Sequence, residues 1–383
     1  MTDWIAAEEA RARLGVRPQT LYAYVSRGRV RVRPDPDDPR RSLYRSADIA
    51  ALSERKTRSR RPADVAAGAI AFGEPVLASA ITTIDEGRLY YRGRDAAVLA
   101  ETETLESVAR LLRGGHGAAL KRSERPPPPA GVDAATRAFA VLAARAAADP
   151  PALGRNPLRL AMDATVLLDI VADAMAGAVG EGPIHVRLAR AWGQDPVGPA
   201  ADLIRRALVV TADHELNAST FAARVAASTG ASLAASALAG LAALSGPRHG
   251  GATTATRTFA EDAARMGPAE AVTARLREDR HIPGFGHPLY AGVDPRAHAL
   301  LAHFRPPGPL ADLAAAVREQ TGEAPNIDYA LVALAEAHGL PVEAPFALFA
   351  VARCAGWMAH AIEQLQTSAI IRPRARYVGP EPE

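Results

Sequence analysis

Past residue 130 the apolar positions recur at helical spacing or sit in alanine-rich runs, so 133–147, 158–180, 200–214 and 218–244 read as helices. The first sixty residues follow a different pattern. Trp4 to Leu14 reads as a short amphipathic helix, with Asp3 as a cap and Gly15 as its stop. A second short helix runs from Pro18 to Gly28. Arg29-Val30-Arg31-Val32-Arg33 then alternates basic and apolar residues as a strand does, Pro34 to Pro39 turns, and Arg40 to Arg45 returns. A further helix starts at Ser46. Residues 78–93 read as strand, turn and strand, with Asp85 to Gly87 in the turn. Arg125 to Pro129 reads as an exposed, stiff polyproline loop. The whole predicts a mainly α fold behind a small mixed head, with no internal repeat.

Val225 to Leu244 carries no charge and is long enough to cross a bilayer. Its large aliphatics are few among Ala, Ser, Thr and Gly, so it reads as a buried core helix and no membrane partner is expected. The N-terminus lacks a basic segment leading into an apolar one, which makes a cytoplasmic location the expectation. One cysteine, Cys354, excludes an internal disulfide and a cysteine metal cage. A length of 383 residues calls for two or three domains. Charge divides them: residues 1–61 carry a net +7 and the remainder −4. A basic head on a mildly acidic body suggests two modules with different partners.

Candidate chemistry gathers on His281-Ile282-Pro283-Gly284-Phe285-Gly286-His287-Pro288, followed by Asp294-Pro295-Arg296. Glycines let the backbone bend or approach closely, and Asp294 with Pro295 reads as a helix start. A histidine on a constrained loop beside an arginine at a helix N-terminus suits an anionic carbonyl compound. Four further stretches stand out: Asp213 to Thr220 with His214, Gly246 to Gly251 with His249, Pro325 to Tyr329 with Asp328, and Arg353 with the later Arg372-Pro373-Arg374. Each has a structural reading on its own. His214 could be a satisfied core histidine, Asp328 a helix cap, and Arg353 the partner of a buried acid. Together they set histidines, one acid and several arginines in apolar surroundings, where a buried arginine is costly without an anionic partner. Gly284-Phe285-Gly286 does not continue as a dinucleotide fingerprint, because position 289 is leucine.

In their types and order these stretches resemble the citrate synthase family over roughly residues 65–380. The resemblance implies condensation of an acyl-CoA, acetyl-CoA favoured, with oxaloacetate, then thioester hydrolysis, giving citrate and CoA. Coenzyme A enters as substrate and no cofactor or metal is implied. By resemblance Asp328 is the base, His249 donates to the thioester oxygen, and His287 polarises the oxaloacetate carbonyl. His214, Arg296, Arg353 and Arg372 match the carboxylate-holding positions, and a homodimer with Arg372 serving the neighbouring subunit's site is implied. The implied domains are a large helical one, 64–253 with 346–383, and a small one, 254–345. Pro288 stands where family members commonly have arginine, near where coenzyme A is held. The acyl preference therefore stays open, with 2-methylcitrate synthase using propionyl-CoA as the main alternative and a lyase acting on citryl-CoA as another. The head, 1–61, resembles winged helix-turn-helix domains of the excisionase and mercury-resistance type, which implies DNA as a partner. A DNA-binding regulator with a citrate synthase-like sensor body is the rival from another class.

Overall fold

The computed structural model describes residues 4–14, 21, 24–25, 30–35, 38, 41–50, 77–115, 125, 127–278, 281–290, 292–367, 369–375 and 377–380. The chain divides into two compact units, Met1–Ala78 with Arg374–Glu383, and Ser79–Pro373.

In the first unit β1 (Trp4–Ala6), β2 (Val32–Pro34) and β3 (Ser42–Arg45) form an antiparallel sheet of order β1-β3-β2. Helix α1 (Ala7–Leu14) follows β1 directly, with Glu8 and Glu9 in its first turn and Arg11 and Arg13 in its last, signs that suit the helix dipole. Trp4–Ala6 is thus a strand and not the helix start that its sequence suggests. Pairing with β3 at Ile5↔Tyr44 fixes it, and Ile5 and Tyr44 are both buried there with Ala10, Leu14, Leu21, Val30 and Ile49. Strand β2 begins at Val32, three residues later than expected, and includes Pro34, which an edge strand tolerates. Residues 46–50 are helical. The described residues do not define a helix-turn-helix: the turn, most of the second helix including Gln19, Thr20 and Tyr22, and the basic linker lie outside them.

The second unit opens with a small antiparallel sheet, β4 (Thr82–Asp85), β5 (Arg88–Tyr91) and β6 (Arg94–Asp95), turning at Glu86-Gly87 with both φ positive. Helices follow: α2 (Ala96–Thr102), α3 (Leu105–Leu112), α4 (Ala134–Ala148), α5 (Pro157–Ala176), α6 (Ile184–Ala191), α7 (Pro199–Val210), α8 (Ala218–Ser228), α9 (Leu233–Leu244), α10 (Ala252–Met266), α11 (Pro268–Arg277), α12 (Pro295–Leu301), α13 (Gly308–Thr321), α14 (Ile327–Ala337) and α15 (Ala344–Thr367). The long apolar run 218–244 is two helices, broken at Gly230, whose φ of 82° ends the turn after α8. In the segment read as exposed polyproline, Pro127 and Pro129 are exposed, while the Arg125 side chain at its start turns in to meet Asp173 at 2.5 Å.

Helix α15 is the centre of the main core. Among the described residues it is long and apolar enough to span a membrane, yet 94% of its apolar window is buried inside the protein. Its Trp357 lies on Gly240 of α9, where an added Cβ would stand 2.6 Å from the indole. A second, smaller apolar cluster lies wholly within 254–345. Phe259, Val272, Phe285, Leu313, Val317 and Tyr329 belong to it.

Candidate active site

Two loops zip together to bring His287 beside the start of α14. Gly284 and Gly286 have φ of 85° and 67°, and a Cβ on Gly284 would sit 2.6 Å from the Thr256 methyl. That close approach lets Gly286 N–H donate to the Ala324 carbonyl and Asn326 N–H donate to the Gly284 carbonyl, each at 2.9 Å. The Asn326 side chain donates to the Gly286 carbonyl at 3.0 Å. Its Oδ1 caps α14, accepting from Asp328 N–H at 3.0 Å. Asn326 is therefore the cap, and the Asp328 carboxyl is left for other work. Asp328 Oδ1 is buried and has no hydrogen-bond partner. Burial pushes this carboxyl up to about 7, with Asp294 adding to the rise and Arg296 and Arg353 opposing it.

Asp294 does cap α12. It accepts from Arg296 N–H at 3.0 Å and grips the Arg296 guanidinium through both oxygens at 2.9 and 2.7 Å. It also accepts Ile327 N–H at 3.1 Å, which ties the first turns of α12 and α14 together. Burial works against the Arg296 charge, but Asp294 outweighs it and holds the guanidinium above its ordinary pKa.

The loop between α7 and α8 supplies the next group, because α7 stops at Val210 and leaves residues 211–217 free of helix. His214 Nε2 lies 2.8 Å from the Tyr290 hydroxyl, and its ring meets that of His287 edge-on at 5.2 Å. Asn217 caps α8. The Ser219 hydroxyl on its first turn lies 2.9 Å from His249 Nε2 and accepts the Trp357 indole N–H at 3.1 Å. The His249 ring stands edge-on to Phe349 at 6.0 Å, and the Arg353 guanidinium lies 4.9 Å from that same phenyl ring. Arg353 donates Nε–H to the Thr211 carbonyl at 3.1 Å, while its Nη2 is buried without a partner. Behind it, buried Asp213 takes His360 at 3.2 Å, and His360 in turn meets Arg224 at 3.2 Å.

These groups share one electrostatic environment. Burial, then the charges of Arg353 and Arg296, pushes His249 down to about 3. Burial and then Arg296 bring His287 to about 4, and burial lowers His214 well below the usual histidine range, with Arg296 and Arg353 next. Three neutral imidazoles, one carboxyl of near-neutral pKa and two charged guanidinium groups thus face one another. Arg353 stays charged at neutral pH even though burial lowers it to about 10. The arrangement brings together six of the seven residues singled out in the sequence. The seventh, Arg372, is exposed on the extended segment after α15, where Ile371 N–H donates to Ser228 Oγ at 3.0 Å. Sequence reasoning did not single out Ser219, Phe349, Tyr290 or His360 as site residues. Tyr290 and Ser219 lay inside the polar stretches but carried no distinctive spacing, and Phe349 and His360 look like any residues of an apolar helix.

Fold and site together define a mainly helical protein with a buried site of neutral histidines, one carboxyl and two guanidinium groups. The chain belongs to the citrate synthase family: residues 128–374 match the family's profile described as "Citrate synthase, C-terminal domain". A putative citrate synthase 2 of Mycobacterium tuberculosis H37Rv is 31% identical over 334 residues, covering 78% of this chain and 88% of that one. Citrate synthase of Haloferax volcanii is 37% identical over 199 residues, 49% of this chain, and the match spans about half of that relative's length, 52%. Among solved structures, citrate synthase of Thermoplasma acidophilum, in a ternary complex with carboxymethyl coenzyme A and oxaloacetate, superposes with a TM-score of 0.65. It is 25% identical, and the match covers 80% of this chain and 95% of that one.

Proposed function

We propose that this chain condenses an acyl-CoA, acetyl-CoA favoured, with oxaloacetate and hydrolyses the resulting thioester to citrate and free CoA. The observation that carries the reading is the pair of buried, unpartnered polar atoms, Asp328 Oδ1 and Arg353 Nη2, in a site of neutral histidines. A buried orphan donor and a buried orphan acceptor cost stability, and a substrate supplies what they lack.

Asp328 takes a proton from the acyl carbon next to the thioester carbonyl. A carboxylate of ordinary pKa is too weak a base for this, and burial narrows the gap. The developing enol oxygen takes a hydrogen bond from His249. The neutral ring is held for this at Nε2, which lies 2.9 Å from Ser219 Oγ and 3.3 Å from Asn217 Oδ1. The enol carbon then attacks the oxaloacetate ketone, and His287 donates to the oxygen that becomes the hydroxyl. Leu289 N–H donates into His287 Nδ1 at 3.2 Å, which leaves the ring proton on Nε2 for that purpose. Water finally cleaves the thioester and CoA leaves as the thiol. His214, Arg296 and Arg353 hold the oxaloacetate carboxylates, Arg353 through its open Nη2. A thiol-release assay with oxaloacetate and a panel of acyl-CoAs tests the reading and also separates it from 2-methylcitrate synthase. Release that is faster with propionyl-CoA moves the assignment to that enzyme.

The same reading has 254–345 as a small domain closing on a large one, 64–253 with 346–383, and its separate apolar cluster supports this. It also has the protein as a homodimer, with the exposed Arg372 reaching the neighbouring subunit's site. Mixing inactive Arg372→Ala subunits with inactive Asp328→Asn subunits restores activity under this reading, because one hybrid site then holds both residues. Exchange that is verified by mass but restores nothing puts Arg372 to work in its own chain.

The head, 1–61, is proposed to bind DNA, supported by its net charge of +7. Of the arginines in and beside β2, Arg31 is engaged by Asp48 through both carboxylate oxygens at 2.9 and 2.8 Å, and the Arg33 guanidinium lies over Trp4 at 4.6 Å. Arg31 thus braces the head. Arg33 and Arg41 are the better phosphate contacts, Arg41 because its side chain is 78% exposed and its pairing with Asp38 is a single surface contact at 3.3 Å. A truncation starting near Ala63 keeps condensation activity, and the full-length protein retards its own promoter DNA at low salt, with the double variant Arg33→Glu/Arg41→Glu losing the shift. Loss of activity on truncation together with no DNA preference makes the head part of the enzyme.

A further inference from the structure

Tyr290 has no role in the chemistry above, yet it touches three of its residues. The side chain is 4% exposed. Its hydroxyl lies 2.8 Å from His214 Nε2, its ring packs on that of His287 at 4.9 Å, and the Arg296 guanidinium lies 5.7 Å from its face. A neutral imidazole carries one proton, and the partner of one nitrogen decides which holds it. If His214 Nε2 donated to the phenol oxygen, the phenol's own proton would be left buried without an acceptor among the described residues, which is unfavourable. If the phenol donates instead, both groups are satisfied with one bond. We propose that Tyr290 is a positioning residue that fixes His214 as the tautomer protonated on Nδ1, so that His214 presents an N–H to the oxaloacetate.

Three features support this over simple packing. His214 stays neutral, because burial and the Arg296 and Arg353 charges lower its pKa well below the usual range, so the tautomer question is real at working pH. Among the described residues Nδ1 has no hydrogen bond of its own, which leaves it for a ligand. Tyr290 also shares its loop with His287 and leads into Asp294 and Arg296, so the element that places the arginine places the phenol. The part that concerns oxaloacetate rests on the function proposed above; the tautomer does not.

The test uses full-length protein with 15N-labelled histidine, the His214 signals being assigned by their loss in His214→Gln. In the wild type, His214 shows a protonated Nδ1 and a bare Nε2. In Tyr290→Phe that signature gives way to a tautomer mixture, and the oxaloacetate Kd rises about tenfold while the KM for acyl-CoA moves less than twofold. A protonated Nε2 in the wild type overturns the proposal, as does a Tyr290→Phe protein that keeps both signature and affinity within twofold. The wild-type spectrum decides the tautomer even if the variant does not fold. If the wild type binds no oxaloacetate, that spectrum still decides it, while the functional reading fails separately.

Discussion

Asp328→Asn lowers turnover by about 10²–10⁴-fold, the range that a positioned general base contributes. The same substitution raises stability. Burial lifts the Asp328 pKa from 3.8 to about 7, so the folded protein binds this proton more tightly than the unfolded chain does. Stability from this group is therefore greatest at low pH, falls as pH rises from about 4 to about 7, and stays lowered above that. A shift of that size corresponds to about 4 kcal/mol, an upper figure because local relaxation lessens it. Asparagine removes the ionisation and keeps the shape, so the variant melts higher than wild type at pH 8 and the gap closes toward pH 4. Wild-type turnover rises with pH through about 7, as the carboxyl ionises. Thermal melts and turnover measured across pH 4–9 check both halves. A variant that loses activity without gaining stability at pH 8 points to a carboxyl that is not strained by burial.

His249→Ala lowers turnover by about 10²–10³-fold, the loss seen when one oxyanion donor is removed. His249 stays neutral down to about pH 3, so its contribution shows no pH dependence between 5 and 9. Ser219→Ala acts in the same direction but less strongly, because the hydroxyl works through the ring that it orients at 2.9 Å. The two are not additive, since Ser219 has nothing to orient once the imidazole is gone. Turnover of the two single variants and the double, read as a cycle at saturating oxaloacetate, measures this. A double variant as slow as the product of the two single effects argues that Ser219 acts elsewhere, through Trp357.

Much of the site was legible because its residues are chemically out of place. Arg353 in an alanine-rich helix and glycines around His287 announce themselves in a sequence, and both were found where close packing or burial demands them. Asp328 was harder. Its position two residues into a helix suits a cap, and only the structure shows Asn326 doing that work. Trp4–Ala6 misled for a related reason: an apolar-charged mixture fits one turn of helix, and the pairing with β3 that decides the matter lies forty residues away. The break at Gly230 was in plain view, yet the alanine-rich run on either side outweighed one glycine. Phe349, His360 and the unfilled Arg353 Nη2 depend on which faces of distant helices meet, and no local pattern carries that information.

The central claim is that the buried carboxyl, histidines and guanidinium groups form one condensing site. The most direct measurement is product analysis by mass spectrometry after incubating full-length protein with oxaloacetate and acetyl-CoA labelled with 13C in the acyl group. The account predicts citrate carrying both labelled carbons, in a one-to-one ratio with released CoA thiol and formed at least about a hundredfold more slowly with Asp328→Asn. Thiol release that proceeds without oxaloacetate, or that yields neither labelled citrate from acetyl-CoA nor the seven-carbon 2-methylcitrate from propionyl-CoA, contradicts it.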